Sequence, residues 1–385
     1  GSEQLPAEHV VDAAADVRLS QSGKQVLQSH HTVYTARPGL RVGDSSDFYT
    51  VGRVARTCRM LTPFRGLMET RAVSTTMWEF ESDATAGAWE RVDVPASGTL
   101  YDVTDTAAGP CAVGENGVVI GRAGDGTWGV AVENGPAGRG ETLRAASAAD
   151  DGRRVWFGGA NGALGYYDHA TGDRGDCSAP TGVENTVRAL AVAGPRGNER
   201  VLAADGSGNM VVGEAGSAAV EWDHRSAPGG APTALATDGS TWYAVDAGGT
   251  AWATTEDEWE RVGVAPASGS LYAVCAGDAL WAGGDNGRAF ERSNAANGGS
   301  ADVRRPARSA SWTPFSFGQS TLRALDAGGG RVLAGGAGGG LFVRAAGDWV
   351  AADRDGTETI HGVLAGVGVA VGADATVLES RKKES

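Results

Sequence analysis

The stretch WERVDVPASGTLYDV at residues 89–103 returns as WERVGVAPASGSLYAV at residues 259–274. The second copy begins 170 residues after the first, which corresponds to about four periods of 42–43 residues. Each copy joins a Trp-containing segment to an apolar strand through a turn that contains Pro and Gly. Self-similarity at a fixed period of this length is typical of repeat architectures. We therefore expect the chain to be built from repeated units.

Further copies of the apolar strand lie between and after these two stretches. They read TLRAA, TVRAL, TALAT, TLRAL and TIHGV and begin at residues 142, 186, 233, 321 and 359. Aligned on the second residue of this strand, the seven units open at Leu100, Leu143, Val187, Ala234, Leu271, Leu322 and Ile360. Successive openings are 37 to 51 residues apart, so the chain contains seven similar units.

Each unit has the same internal order of strands. The opening strand is followed by an apolar strand that ends in a glycine turn, as in CAVGENG at 111–117 and LWAGGDNG at 280–287, and a third strand follows. At six junctions a Trp precedes the next opening strand by 10–15 residues, namely Trp89, Trp128, Trp222, Trp259, Trp312 and Trp349. Four short strands per unit predict an all-β, seven-bladed β-propeller with four-stranded antiparallel blades. Each Trp is expected to pack between neighbouring blades.

Closure of the ring depends on the two ends of the repeat region. The last unit, 360–385, contains only three strands, which would leave an open sheet edge. Residues 86–95 (AGAWERVDVP) resemble a fourth strand that has no blade before it. We expect this N-terminal strand to complete the last blade. Eight blades are the alternative, because TCRML at 57–61 lies 43 residues before Leu100 and resembles TLRAL.

The first 76 residues differ in composition from the rest. They contain 9 Lys+Arg and 7 Asp+Glu, whereas residues 77–385 contain 24 and 40. Only 6 of the 60 glycines lie in this first part. The change predicts an N-terminal extension at 1–76, poorly defined or artefactual, and a propeller at 77–385. The extension is either a separate arm or sequence upstream of a natural start at Met77.

The overall charge restricts the classes of partner and environment. The formal net charge is −14, which argues against a nucleic-acid-binding protein because such proteins carry a basic surface. No apolar run is long enough to span a membrane. Only three Lys accompany thirty Arg, a bias that resembles proteins of extreme halophiles, whose surface carboxylates are screened by molar salt. A GC-rich genome alone would also favour Arg, Ala and Gly.

The cysteines and the N-terminus indicate no cofactor and no export. Cys58, Cys111, Cys177 and Cys275 are widely spaced and form no CxxC pair, so no metal site is expected. The N-terminus shows no signal-peptide pattern, and we expect a cytoplasmic protein in a high-salt environment. We expect a monomer that has no cofactor.

Several Trp-containing turns resemble the Asp-box, Ser-x-Asp-x-Gly-x-Thr-Trp, of sialidase-like and photosystem-assembly-factor-like β-propellers. The best copy is AGDGTW at 123–128, and weaker copies are DEW at 257–259 and GDW at 347–349. The leading Ser is absent from all three. The resemblance implies a propeller over 77–385. In those families the box is structural, so it implies no catalytic residue here.

The residue after each opening position predicts a ring of side chains at the channel mouth. These residues are Tyr101, Arg144, Arg188, Leu235, Tyr272, Arg323 and His361. Six of them, all except Leu235, form a candidate ligand-binding collar. Three Arg within it could hold a carboxylate or a phosphate, since each guanidinium offers paired donors. Alternatively, each Arg bonds a carboxylate or carbonyl of a neighbouring blade.

Three functional interpretations remain open. The first is a non-catalytic scaffold that presents a face or its channel to a protein partner or an anionic ligand. The second is a sialidase-like glycan-binding protein or hydrolase. The family resemblance implies that such an enzyme would need three Arg, a Tyr–Glu pair and an Asp that acts as general acid and base. The third is a surface or viral adhesin. No catalytic residue is assigned, and whether the protein is an enzyme stays undecided, with a non-enzymatic role favoured.

Overall fold

The computed structural model describes most of the repeat region and three strands before it. The described residues are 87–381 without 217–218, 256–257, 265–268 and 294–311, together with the strands Asp16–Leu19, Gln25–Ser29 and Thr32–Ala36. Two compact units can be distinguished, Gly1–Glu81 and Ser82–Ser385.

In the first unit the three described strands form one antiparallel sheet in chain order. Most of residues 1–76 lie outside the described residues, so the expectation of a poorly defined extension stays a prediction. The stretch 57–61, on which an eighth blade depended, also lies outside them.

The second unit contains seven sheets, each of which has four antiparallel strands and forms one blade of a β-propeller. Blade 1 consists of Leu100–Thr104, Cys111–Gly114, Val119–Arg122 and Trp128–Val132. Blade 2 consists of Leu143–Ala148, Arg154–Gly159, Leu164–Asp168 and Arg174–Asp176. Blade 3 consists of Val187–Ala193, Arg200–Asp205, Asn209–Ala215 and Val220–Ser226. Blade 4 consists of Pro232–Thr237, Trp242–Asp246, Ala251–Thr255 and Glu258–Arg261.

The remaining three blades complete the ring. Blade 5 consists of Leu271–Ala276, Ala279–Gly284, Arg288–Ser293 and Trp312–Ser316. Blade 6 consists of Leu322–Gly328, Arg331–Gly336, Leu341–Ala345 and Asp348–Ala351. Blade 7 consists of Ile360–Leu364, Val369–Gly372, Thr376–Ser380 and the N-terminal strand Ala88–Arg91. Short 3-10 turns occur at Glu115–Gly117, Ala160–Gly162, Pro180–Gly182, Asp285–Gly287 and Ala337–Gly339.

The seven-bladed fold and its closure by an N-terminal strand are confirmed, which excludes the eight-bladed alternative. Ala88–Arg91 pairs antiparallel with Thr376–Ser380, with Glu90 opposite Glu379. The innermost strands of neighbouring blades are in contact all the way round, including blade 7 against blade 1. Blade 7 also contains a fifth strand that the repeat pattern did not predict, Asp353–Arg354, which pairs parallel with Ala88 and Trp89.

Seven apolar clusters lie between successive blades, and the Trp of the outermost strand contributes to six of them. Trp128 of blade 1 packs among side chains of blade 7, and Trp89 of blade 7 packs among side chains of blade 6. Trp222, Trp259, Trp312 and Trp349 likewise pack against the cluster that their blade shares with the preceding one. Between blades 1 and 2, Tyr167 occupies the junction that lacks the Trp.

The best Asp-box-like turn has the contacts that hold a tight hairpin. The Asp125 carboxylate accepts hydrogen bonds from the backbone N–H of Thr127 (3.0 Å) and from its hydroxyl (2.7 Å), and these bonds lower the pKa of Asp125. The next residue, Trp128, is 8% exposed. The turn therefore directs the indole into the space between blades 7 and 1.

Candidate functional site

The second residue of every innermost strand is a β-bulge. In blade 2, Leu143 pairs with Gly159 and Ala145 pairs with Gly158, so Arg144 between them has no partner on the next strand. The same irregularity occurs in all seven blades. A bulge re-aims the side chain of its extra residue. In five blades a glycine faces the bulge, and a Cβ at Gly159 would collide with the carbonyl oxygen of Thr142.

We call the seven bulge residues the collar. They are Tyr101, Arg144, Arg188, Thr233, Tyr272, Arg323 and His361, and all of them line one central cavity of about 530 Å³. A volume of this order is typical of small-molecule sites. The structure thus brings together the six residues that the sequence predicted.

The blade 4 position was predicted wrongly as Leu235. The opening residue of this blade is Pro232, which pairs with Asp246, and Thr233 is the bulge. The Thr233 hydroxyl lies 3.0 Å from the Val245 carbonyl oxygen and 2.6 Å from that of Leu271. Leu235 is instead buried in the cluster between blades 3 and 4. The sequence alignment was shifted by two residues in blade 4, because Pro232 stands at the opening position, where the other blades have Leu, Val or Ile.

The three collar arginines are exposed and make no ion pair or hydrogen bond with any residue that the structure describes. The guanidinium of Arg144 lies over the ring of Tyr101, with Cζ 4.4 Å from the centroid. Arg323 lies over Tyr272 at 5.7 Å. Cation–π contacts of this kind orient the guanidinium but leave its N–H donors available. The alternative in which each Arg bonds a neighbouring carboxylate is not observed among the described residues.

His361 lies between two of these cations. Its ring centroid is 5.3 Å from that of Tyr101, the same ring that Arg144 covers. Burial lowers the pKa of His361 to about 4, and the charges of Arg323 and Arg144 contribute to the decrease. The imidazole is therefore neutral at pH 7.

Tyr101 also contacts an acid at the mouth. Its hydroxyl donates a hydrogen bond to Glu115 Oε1 at 3.3 Å. Glu115 begins the 3-10 turn after the second strand of blade 1, and this turn lies at the same end of the blade as the collar. A sialidase-like site would need a Tyr–Glu pair, and the position of this Glu could not be predicted from the sequence.

Two acids that were not predicted from the sequence lie deeper in the channel. Every blade begins with its innermost strand, so the seven strands run in one direction and position along the strand gives depth. Asp102 follows the bulge of blade 1 by one residue, and Asp326 follows that of blade 6 by three. Both line the central cavity. The other opening strands have no acidic residue at the aligned positions. The repeat pattern therefore could not predict these two acids.

Both acids join neighbouring blades through backbone donors. The Asp102 carboxylate accepts the N–H of Val103 (2.9 Å) and, from blade 2, the N–H of Ala146 (2.8 Å). Asp326 accepts the N–H of Ala365 of blade 7 at 2.7 Å. Burial, with a smaller contribution from the Asp326 charge, raises the pKa of Asp102 to about 7. Burial also raises the pKa of Asp326. The channel therefore carries guanidinium charges at its mouth and, below them, two carboxyl groups whose raised pKa values favour the protonated form.

The described residues show neither a metal site nor a membrane-spanning helix. No group of three or more His, Cys, Asp or Glu side chains among them is placed to hold a metal ion. None of the described segments forms a helix with the length and apolarity needed to cross a bilayer. Cys111 and Cys275 are buried free thiols, and burial raises their pKa values.

Comparison with solved structures supports the fold. YCF48 from Cyanidioschyzon merolae aligns over 77% of this chain and all of its own, with 14% identity and a TM-score of 0.59. A structure of YCF48 bound to a D1 peptide aligns over 78% of this chain and all of its own (16% identity, TM-score 0.58). The WD40 propeller domain of Doa1 aligns over 77% of this chain and 98% of its own (10% identity, TM-score 0.59). No protein-family model and no curated protein sequence matches the chain.

Proposed function

We propose that this protein is a non-catalytic binding scaffold that holds an anionic group of a protein partner or small ligand at the collar. One observation carries the proposal: Arg144, Arg188 and Arg323 line one cavity without an anionic partner among the described residues. Arg side chains without a counterion are matched by carboxylate or phosphate oxygens. Rigid strands position all three, which limits the entropy lost on binding.

Binding of protein partners by similar propellers supports a scaffold role. One similar structure holds YCF48 with a D1 peptide, and another structure aligned to this chain is that of a mitotic checkpoint complex. These relatives share 16% and 12% identity with the chain, so they support the fold as a binding platform and leave the ligand open.

The test is calorimetric titration of the protein with citrate and sulfate at constant ionic strength. We expect Arg144→Gln and Arg323→Gln each to weaken binding about tenfold, because each removes a charge-assisted hydrogen bond. Arg153→Gln is the matched control, since Arg153 is also exposed but lies in the turn after the innermost strand of blade 2, at the other channel end. Equal losses in all three variants, or no binding by the wild type, would contradict the proposal.

A sialidase-like hydrolase is the second candidate, and the Tyr101–Glu115 hydrogen bond favours it. A Glu beside a Tyr can activate the phenol as a nucleophile, and three arginines line the same cavity. The required acid could only be Asp102 or Asp326 among the described residues that line the cavity. Hydrolysis of a fluorogenic sialoside that is lost in Tyr101→Phe would support this candidate. No turnover by the wild type would dismiss it.

We further propose that the protein functions as a monomer in a high-salt cytoplasm. The net charge of −14 and the ratio of thirty Arg to three Lys support the high-salt part. Light scattering after size exclusion in molar KCl tests the monomer, and a dimer mass would contradict it.

A further inference from the structure

The collar is chemically asymmetric. Blades 6, 7, 1, 2 and 3 carry an unbroken arc of Arg323, His361, Tyr101, Arg144 and Arg188. Blades 4 and 5 complete the ring with Thr233, whose hydroxyl is used by backbone carbonyls, and Tyr272, which lies under Arg323. The donors that remain free therefore come from several directions around one part of the channel mouth.

The charge of this arc exceeds what one carboxylate would neutralise. Three guanidiniums lack an anionic partner among the described residues, and the nearby Glu115 accepts the Tyr101 hydroxyl. A planar carboxylate is satisfied by a single bidentate Arg, whereas a tetrahedral anion presents oxygens in several directions. The arc therefore matches a group with two negative charges and tetrahedral oxygens.

The deeper channel limits how far such a group can enter. Asp102 and Asp326 lie below the collar and use their oxygens for backbone donors. Neither side chain offers a cationic donor to an anion, and no described Lys or Arg forms an ion pair with either of them. A dianion is thus held at the mouth, and whatever it is attached to stays on the solvent side. A terminal group fits this arrangement better than an internal one.

We propose that the collar recognises a terminal tetrahedral dianion, a phosphate monoester or sulfate group, and that His361 takes up a proton from solvent when it binds. This inference rests on the proposed anion site. Binding places negative charge between Arg323 and Arg144, which reduces their repulsion of a protonated imidazole. The resulting imidazolium adds a fourth cation to the arc.

Thermodynamic linkage gives the direction of the effect. In the free protein, burial of His361 and the charges of Arg323 and Arg144 keep its pKa at about 4, below its usual value near 6.5. The anion counteracts the contribution of the two arginines, so the pKa rises in the complex. By reciprocity, the dianion binds more tightly as pH falls from about 6.5 towards 4. Other titratable or charged groups that line the cavity around His361 are Tyr101, Asp102, Arg144, Arg188, Tyr272, Arg323 and Asp326.

The experiment measures sulfate binding to the full chain by calorimetry at pH 5 and pH 7.5, in two buffers of different ionisation enthalpy. Sulfate keeps two charges over this range, so any proton taken up goes to the protein. A rise of one to two pKa units at His361 would give uptake of about 0.4–0.8 proton at pH 5 and binding about two- to tenfold tighter than at pH 7.5. Perchlorate, a tetrahedral monoanion, is the control ligand and should bind more weakly.

Two variants assign the proton. His361→Gln should take up no proton at pH 5. It should lose the part of the affinity change that the imidazole contributes and keep the part that comes from titration of Asp102 between pH 5 and pH 7.5. Asp102→Asn should retain the uptake, since a carboxyl with a pKa of about 7 is already protonated at pH 5. Thermal melts at pH 5 confirm that each variant is folded.

The outcomes separate this inference from the proposed function. Arg-dependent sulfate binding without proton uptake at pH 5, or with uptake at pH 5 that persists in His361→Gln, would overturn the inference and leave the anion site intact. Binding of perchlorate or citrate in preference to sulfate would also overturn it. Absence of binding by every anion would overturn both.

Discussion

Trp128 offers the sharpest test of how the blades are held together. Its indole is 8% exposed and lies among Val369, Val371 and Val377 of blade 7. The indole N–H donates to Glu379 Oε1 at 2.9 Å, and this carboxylate also pairs with the Nε of Arg122 at 2.8 Å. Trp128 therefore joins blade 1 to blade 7, the blade that combines the first and the last strand of the propeller.

Substitution of Trp128 by Ala should lower the free energy of unfolding by about 3–5 kcal/mol, the usual range for a buried Trp. Trp128→Phe retains most of the apolar contact and loses only the bond to Glu379, so we expect about 1.5–2 kcal/mol. Trp259 is the comparison, because it is half-buried and lines an open groove of about 390 Å³ between blades 3 and 4. We expect Trp259→Ala to cost about 2 kcal/mol.

Urea denaturation followed by circular dichroism would measure these differences, with Trp128→Ala, Trp128→Phe and Trp259→Ala compared in one buffer. The order of the losses matters more than their absolute size, since unfolding of a domain this large can deviate from two-state behaviour. If Trp259→Ala destabilises the fold as much as Trp128→Ala, burial between the blades is not what determines the contribution of each Trp.

Three further predictions concern the ring, the solvent and the channel. Removal of residues 1–76 should leave a folded propeller by circular dichroism, whereas removal of 1–92 should not, because it deletes Ala88–Arg91 from blade 7; two equally stable truncations would refute this. The melting temperature should rise between 0.1 M and about 2 M KCl as carboxylate repulsion is screened, and a flat profile would count against the halophilic interpretation. Asp102 binds its proton more tightly in the folded state, at a pKa of about 7, than in the unfolded chain, so its stabilising effect is present below about pH 4 and is lost as pH rises towards 7. The difference in unfolding free energy between wild type and Asp102→Asn, measured by urea denaturation at pH 5 and 8, should therefore shift in favour of the variant at pH 8, and parallel pH profiles would disprove it.

The blades could be predicted because each one imposes the same local requirements on its residues. The opening residue is buried between blades, as Leu100 and Ile360 are, and must be apolar. The last residue of the second strand faces the bulge, and in five blades the close backbone approach there requires glycine. These constraints recur with the period of the fold, so they are visible in a single sequence. Asp353–Arg354 was missed because a fifth, parallel strand belongs to one blade only and leaves no periodic trace.

Only those site residues that occupy the same position in each repeat could be predicted from the sequence. Six collar residues were identified because they follow an apolar opening residue, and blade 4 failed where Pro232 takes that position. Asp102 and Asp326 lie at positions that the other blades fill with small or apolar residues, so repetition could not point to them. Their roles depend on which strands meet across the channel, which is a property of the closed ring.

The bulge explains why function is expected at the collar. Its backbone is fixed by the flanking pairs, as with Leu143 and Ala145 around Arg144, but its own residue has no cross-strand partner and no place in the core. Packing therefore imposes no side-chain type there, which agrees with the presence of Arg, Tyr, Thr and His at equivalent sites. Arg carries a large loss of side-chain entropy when it is ordered, and it contributes little to stability when it has no partner. Three Arg in one ring, in a protein with a net charge of −14, therefore support the proposed anion site.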